Sequence, residues 1–261
     1  MTRKRSALAA MAALTLTGVV GCSDDGSTAS SSSERAGAQN AAPGSAVPAA
    51  SPSVVDASVV RGWAHYDYDP APAVDALANE EPSVTVGEVA GWSDGRAVEE
   101  SDGQGYANIS HNAVLEVVVA DSVKSVGGQE SGGRIFVEVP RGGEILIDGE
   151  PPEGTEPVLS SIEELNEAVP PGTRVIVIGS RALTDAALSA ENGGTVLPPA
   201  DGQTDATLLR PDVQGLIFED ETGAFESGLA DEEQEWGWLP PSVSPRKGFD
   251  YLVKRLSKVR R

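Results

Sequence analysis

The stretch Gly91-Trp92-Ser93-Asp94-Gly95 fits the G-x-S-x-G pattern, in which a hydrolase presents a nucleophilic serine at a sharp turn. Asp102 and His111 follow it in the order of a Ser–Asp–His triad. Such a turn needs a helix directly after the serine, whereas residues 96–103 are acidic and rich in glycine. We therefore interpret the stretch as a turn at the end of a strand. Hydrolysis by Ser93 stays open as an alternative function.

Metal and cofactor chemistry has few candidate residues in this chain. It holds two histidines and one cysteine, so a cysteine-based zinc site cannot form, and no H-E-x-x-H motif occurs. Residues 65–69, His-Tyr-Asp-Tyr-Asp, offer oxygen ligands to a hard cation, but they lack the pattern of a calcium loop. The acidic run at 231–235 is typical of a charged surface. Because a glycine-rich phosphate loop is also missing, we predict no metal and no cofactor.

Trp236-Gly237-Trp238 places two indoles two residues apart. In an extended chain they lie on one face, where they could stack on a sugar or a peptide. The same indoles could instead cover the barrel at the point where the chain leaves for its last helix. We expect Trp63 and Trp92 to be core residues.

The N-terminus contains the clearest motif. A basic start, Arg3-Lys4-Arg5, precedes an apolar run at 6–20 that is too short for a typical membrane span. Val19-Val20-Gly21-Cys22 then resembles the lipobox of bacterial lipoproteins, and the body resembles small β-barrel lipoproteins. The first resemblance implies cleavage after Gly21 and lipidation of Cys22, which places the protein on the extracytoplasmic face of the cell membrane. Two acyl chains give an anchorage that a single chain cannot provide.

Composition divides the remaining chain into a tether, a body and a tail. Residues 22–53 are mostly Ser, Ala, Gly and Pro, which predicts a disordered tether that spans about 30 Å. The acidic body at 54–245 follows, and the whole chain has 40 acidic and 19 basic residues. Such a body repels phosphate backbones, so we expect no nucleic-acid partner. The expected partners are the membrane, through the lipid on Cys22, and an unknown protein or small ligand.

Alternating apolar residues predict a mainly β body. Strands are expected near 84–89, 114–120, 134–139, 174–179, 215–220 and 224–229, with a bulge at Gly87-Glu88. A turn is expected at Arg141-Gly142-Gly143, and residues 185–206 are expected to form a loop insertion. Capping residues Ser160 and Glu163 indicate a short helix over 161–169, and a further helix is expected at 74–79. This order matches a small OB-like Greek-key barrel, although a β-sandwich fits equally well.

The tail at 246–261 predicts a basic amphipathic helix. It carries seven basic residues and one acidic residue, with an apolar stripe at Phe249, Leu252, Val253, Leu256 and Val259. The favoured interpretation packs this stripe on the barrel, and membrane contact is the alternative. We conclude that the chain is a non-enzymatic binding or accessory lipoprotein. A substrate-binding lipoprotein of a transporter is the second alternative.

Overall fold

A computed structural model describes residues 54–62, 66, 68–128, 130–192, 194–199, 207–230 and 237–259. The predicted signal peptide and tether, with Gly21 and Cys22, lie outside these residues. The helices are α1 (Ala57–Arg61), α2 (Val74–Glu80), α3 (Ile162–Ala168), α4 (Asp185–Asn192) and α5 (Gly248–Leu256), the last preceded by a 3-10 turn at Pro245–Lys247. The strands are β1 (Ser83–Ser101), β2 (Tyr106–Lys124), β3 (Arg134–Ile147), β4 (Val158–Leu159), β5 (Arg174–Arg181), β6 (Thr195–Leu197), β7 (Leu208–Glu219) and β8 (Phe225–Ser227).

Five of these strands close into a barrel. Antiparallel ladders join β3 to β2, β2 to β1, β1 to β5 and β5 to β7. A parallel pairing of β3 with β7 completes the ring, with Phe136 opposite Leu208 and Val137 opposite Leu209. Helix α3 lies in the connection between the third and fourth barrel strands. The prediction of an OB-like Greek-key barrel is therefore confirmed, and the sandwich alternative is wrong.

The barrel interior is filled by the alternating apolar residues of its strands. Leu115 and Val117 of β2 meet Val137 of β3 and Phe218 of β7 inside it. Leu165 of α3 joins the same cluster and is fully buried. Because successive side chains of a strand point to opposite faces, each barrel strand gives every second residue to this core.

A second core covers the outer face of β5 and β7. Ile176, Ile178 and Ile217 pack there against buried residues of α2 and α5, among them Phe249 and Leu252. The run Val-Ile-Val-Ile in β5 is apolar on both faces because one face lines the barrel and the other lies under these helices. The amphipathic helix predicted for the tail is present as α5, and its apolar stripe packs on this surface.

Strands β1, β2 and β3 extend beyond the barrel. Residues 97–101, 106–111 and 142–147, with β4 at their edge, form a three-stranded projection that we call the distal arm. The expected turn at Arg141-Gly142-Gly143 is wrong, because β3 runs through these residues. The β2–β3 register shifts between His111 and Asn112 at this point. Gly142 is needed here for close approach, since a Cβ on it would lie 2.0 Å from the Val158 carbonyl oxygen of β4.

Helix α3 begins with a capping box one residue beyond the expected position. The Ser161 hydroxyl accepts a hydrogen bond from the Glu164 amide, and the Glu164 carboxylate accepts one from the Ser161 amide. We predict that Ser161→Ala lowers the free energy of unfolding by about 1 kcal/mol, because the helix loses a cap. Urea denaturation measures this loss. Ser242→Ala, at an exposed turn residue, is the matched control, and an equal loss in both variants would contradict the prediction.

Candidate functional site

The outer face of β1, β2 and β3 carries the candidate site. In barrels of this topology the outer face of the second and third strands commonly binds ligands, together with the loops beside it. Here the segment that follows β5 lies over this face, and its strand β6 pairs with β1 at Ala97–Glu99. The loop prediction for 185–206 is wrong for the part that forms α4 and β6. Its Ala-Ala-Leu-Ser-Ala-Glu run favours a helix, and Thr184 accepts a hydrogen bond from the Ala187 amide near its start.

A bulge in β1 brings Arg96 to this face. The β1–β2 ladder shifts register between Asp94 and Ala97, which places one extra residue in β1. Gly95 permits the close approach, since a Cβ on it would lie 2.8 Å from the Asn112 carbonyl oxygen. The Asn112 side chain donates a hydrogen bond of 3.1 Å to the Arg96 carbonyl oxygen. The bulge therefore sets the direction of the Arg96 side chain.

Two carboxylates hold the Arg96 guanidinium, and the Arg96 side chain is only 8% exposed. Its Nε and Nη2 donate to the two carboxylate oxygens of Glu138 at 2.6 and 2.8 Å. Its Nη1 donates to Asp185 Oδ1 of α4 at 2.6 Å. Burial by itself lowers the pKa of Arg96, but the hydrogen bonds and negative charges of Glu138 and Asp185 outweigh it and leave this pKa raised. Arg96 is thus a fixed cation.

A cavity of about 420 Å³ lies beside Arg96, between the sheet and the segment after β5. Arg181 stands at its wall as a second cation, and the hydroxyls of Thr184 and Thr207 add polar groups. The other walls are mainly apolar, with Val114, Leu183, Pro198, Pro199 and Leu208. This volume suits a small organic molecule, and a guanidinium is a specific partner for a carboxylate or phosphate.

Asp185 is the accessible partner of Arg96. Its side chain is 65% exposed, whereas that of Glu138 is nearly buried. A carboxylate that enters the cavity can therefore take the place of Asp185 at Nη1, while Glu138 keeps the guanidinium in position. The arrangement can bind an anionic group next to apolar walls.

Ser93 and His111 are not brought together. Ser93 lies within continuous β1 and pairs with Val114, so no helix follows it. His111 pairs with Ala97 and lies three residues before Val114 on β2, about 10 Å along the strand. This odd-numbered separation also directs the two side chains to opposite faces of the sheet. The His111 ring contacts Glu144 instead, at 3.1 Å.

Asp102 has a local structural role. Its carboxylate accepts hydrogen bonds from the amides of Gln104 and Tyr106, in the turn that joins β1 to β2. The strand-end turn expected at Ser93 is wrong as well, because β1 continues to Ser101. The G-x-S-x-G match is therefore a strand sequence in which the two glycines flank residues of the ladder.

The tryptophans that the structure describes are core residues. Trp238 is 5% exposed, belongs to the second core and donates a hydrogen bond of 2.8 Å to the Ala71 carbonyl oxygen. It therefore covers the barrel and does not form a stacking surface. Trp92 is buried in the barrel core and donates to the Val169 carbonyl oxygen, as expected. Trp63 and Trp236 lie outside the described residues.

The two acidic segments considered as cation sites lie wholly or partly outside the described residues. Residues 231–235 lie outside the described part, as do His65 and Asp67 of the segment at 65–69. Within the described ranges, no group of three or more His, Cys, Asp or Glu side chains could hold a metal ion.

Sequence reasoning missed Arg96, Glu138, Arg181 and Asp185. Glu138 offered one signal, a lone charge inside the apolar run of β3. Arg96 follows Gly95 in an acidic stretch, and nothing local shows that it is buried. Its partners lie 42 and 89 residues away along the chain.

Comparison with family models, with characterised proteins and with solved structures finds no match. None of the helices in the described part of the chain is long and apolar enough to cross a membrane.

Proposed function

We propose that this protein is a lipid-anchored, non-enzymatic binding module on the extracytoplasmic face of the cell membrane, and that it binds a small carboxylate in the cavity beside Arg96. The anchor part of the proposal is supported by the lipobox around Cys22. The ligand part is carried by one observation, a buried guanidinium whose Nη1 donates, among the described residues, only to the exposed carboxylate of Asp185.

The chemistry of the cavity favours an organic acid. The bidentate contact with Glu138 occupies one edge of the Arg96 guanidinium, formed by Nε and Nη2, and leaves Nη1 for a ligand. Asp185 can leave Nη1 at little cost, because its side chain is mostly exposed and can turn into water. Arg181 can provide a second contact, and the apolar walls can pack against an aliphatic or aromatic body.

The two alternatives receive no comparable support. Hydrolysis by Ser93 would require His111 within hydrogen-bonding reach, and the ladder directs these side chains to opposite faces. Transport substrate-binding proteins commonly hold their ligand in a cleft between two lobes, whereas the described residues form one barrel with helices packed on it. A nucleic-acid partner is opposed by the acidic composition of the body.

Calorimetric titration of the full chain tests the ligand class. We expect succinate or benzoate to bind and their amides, succinamide and benzamide, not to bind. Arg181→Gln should weaken carboxylate binding about tenfold, because one charge-assisted hydrogen bond is lost. Asp185→Asn should strengthen it, because the internal competitor loses its charge.

Arg246→Gln is the matched control, since Arg246 is an exposed arginine in the turn before α5. It should leave the affinity unchanged. Equal binding of the acids and their amides would reject the carboxylate proposal, as would equal effects of Arg181→Gln and Arg246→Gln.

A further inference from the structure

Four exposed apolar side chains gather on one face of the distal arm. Tyr106 pairs with Ile147 across the β2–β3 ladder, and Val158 pairs with Gly143 across β3–β4. Because residues two apart on a strand share a face, Ile145 lies between these pairs on that same face. Val158 is 65% and Ile147 51% exposed. These four are most of the seven exposed large hydrophobic side chains in the described part of the chain.

A groove of about 360 Å³ continues this apolar strip. Ile145 and Val158 line it together with Pro151, Pro152 and Pro157, from the segment that leaves β3. Contiguous apolar surface of this kind on a folded domain marks an interaction site, whereas scattered exposed residues do not.

The groove follows an open strand edge. In the part of the chain that the structure describes, β4 pairs with β3 only at Gly142 and Gly143, and residues 144–146 of β3 pair only with β2. An extended segment of another chain can therefore add to this edge as a further strand, with every second side chain directed into the groove. The shape of the site favours an extended occupant.

Charge identifies the kind of occupant. Residues 97–111 and 142–157 hold eight acidic residues and no lysine or arginine. Glu156 lines the groove itself, and Glu100 lies opposite Asn108, on the same face as the apolar strip. An anionic membrane or a nucleic acid would be repelled. A second copy would place sixteen carboxylates around one interface, which like-charge repulsion opposes.

We propose that the groove of the distal arm docks an extended, cationic segment of a partner protein, in which lysine or arginine alternates with aliphatic residues. The aliphatic side chains fill the space between Ile145, Val158 and the prolines. The basic side chains face the carboxylates at the rim, which speeds encounter and selects against acidic partners. This interface is separate from the cavity beside Arg96 and does not depend on it.

Fluorescence anisotropy with the full chain tests this docking at about 0.15 M salt. The probe is a labelled nine-residue peptide of alternating lysine and valine. Two comparison peptides carry glutamate in place of lysine, or serine in place of valine. We expect only the lysine–valine peptide to bind, with an affinity that falls as salt increases.

Variants locate the bound peptide. Ile145→Ser combined with Ile147→Ser should weaken binding at least tenfold, and Val118→Ser should not, because Val118 is an exposed valine on β2 outside the groove. Thermal denaturation confirms that both variants are folded. Equal binding by the two variants would overturn the proposal. So would tight binding of the lysine–serine peptide, or dimerisation of the full chain that these two isoleucine substitutions abolish.

Discussion

Replacing Cys22 by alanine should release the protein from the membrane almost completely. The lipobox reading makes the Cys22 thiol the attachment point of a diacylglyceryl group. Each buried methylene of an acyl chain contributes about 0.8 kcal/mol to membrane binding, so two chains hold the protein firmly and their loss removes the whole anchor. Fractionation of cells into membrane and soluble material measures the change, and labelling with a fatty-acid analogue reports the modification directly.

Ser30→Ala, in the same predicted tether, is the matched control and should stay in the membrane fraction with full label. Mass spectrometry of the protein without substitutions shows whether residue 22 carries lipid and whether the leader has been removed. Residue 22 without lipid, or the apolar leader still attached in the mature protein, would contradict the lipid anchor.

The barrel could be predicted because its strands follow a period of two. Leu115 and Val117 mark the interior face of β2, and the Val-Ile-Val-Ile run of β5 indicated a strand buried on both sides. The helix between the third and fourth barrel strands began at a recognisable capping box. These signals are local, so a single sequence contains them.

The distal arm could not be predicted, because the glycine pair at its start fits a turn as well as a continuous strand. A Gly-Gly pair after a strand is typical of a turn, yet Gly142 here allows the Val158 carbonyl oxygen of β4 to approach. Both glycines therefore lie within a continuous strand, whose pairing with β2 shifts register at this point. Only the partner strand β4, which follows about 15 residues later, distinguishes a turn from a continuous strand.

The site depends on contacts between distant parts of the chain. Local alternation placed Trp236 and Trp238 on a common face, but Trp238 is instead covered in the second core and bonded to Ala71, 167 residues away. The partners of Arg96 also come from distant parts of the chain, Glu138 from β3 and Asp185 from α4. Sequence periodicity describes a face and does not say what covers it.

Arg96→Met should be among the most destabilising single substitutions in the described part of the chain. It removes the partner of Glu138, which then remains buried without a compensating charge, and the expected loss in the free energy of unfolding is about 3–5 kcal/mol. That is a large part of the 5–15 kcal/mol that typically stabilises a domain. Asp185→Asn should cost less than about 1 kcal/mol, because Asp185 is mostly exposed. Urea denaturation measures both.

The double variant Arg96→Met with Glu138→Leu separates stability from ligand binding. Apolar residues of similar volume commonly replace a buried ion pair with little loss, so the double variant should recover most of the stability that Arg96→Met removes. It should nevertheless fail to bind succinate, because the cavity then has no buried guanidinium. A double variant as unstable as Arg96→Met would show that the damage comes from packing. One that folds and binds succinate as tightly as the unmodified chain would show that Arg96 does not anchor the carboxylate.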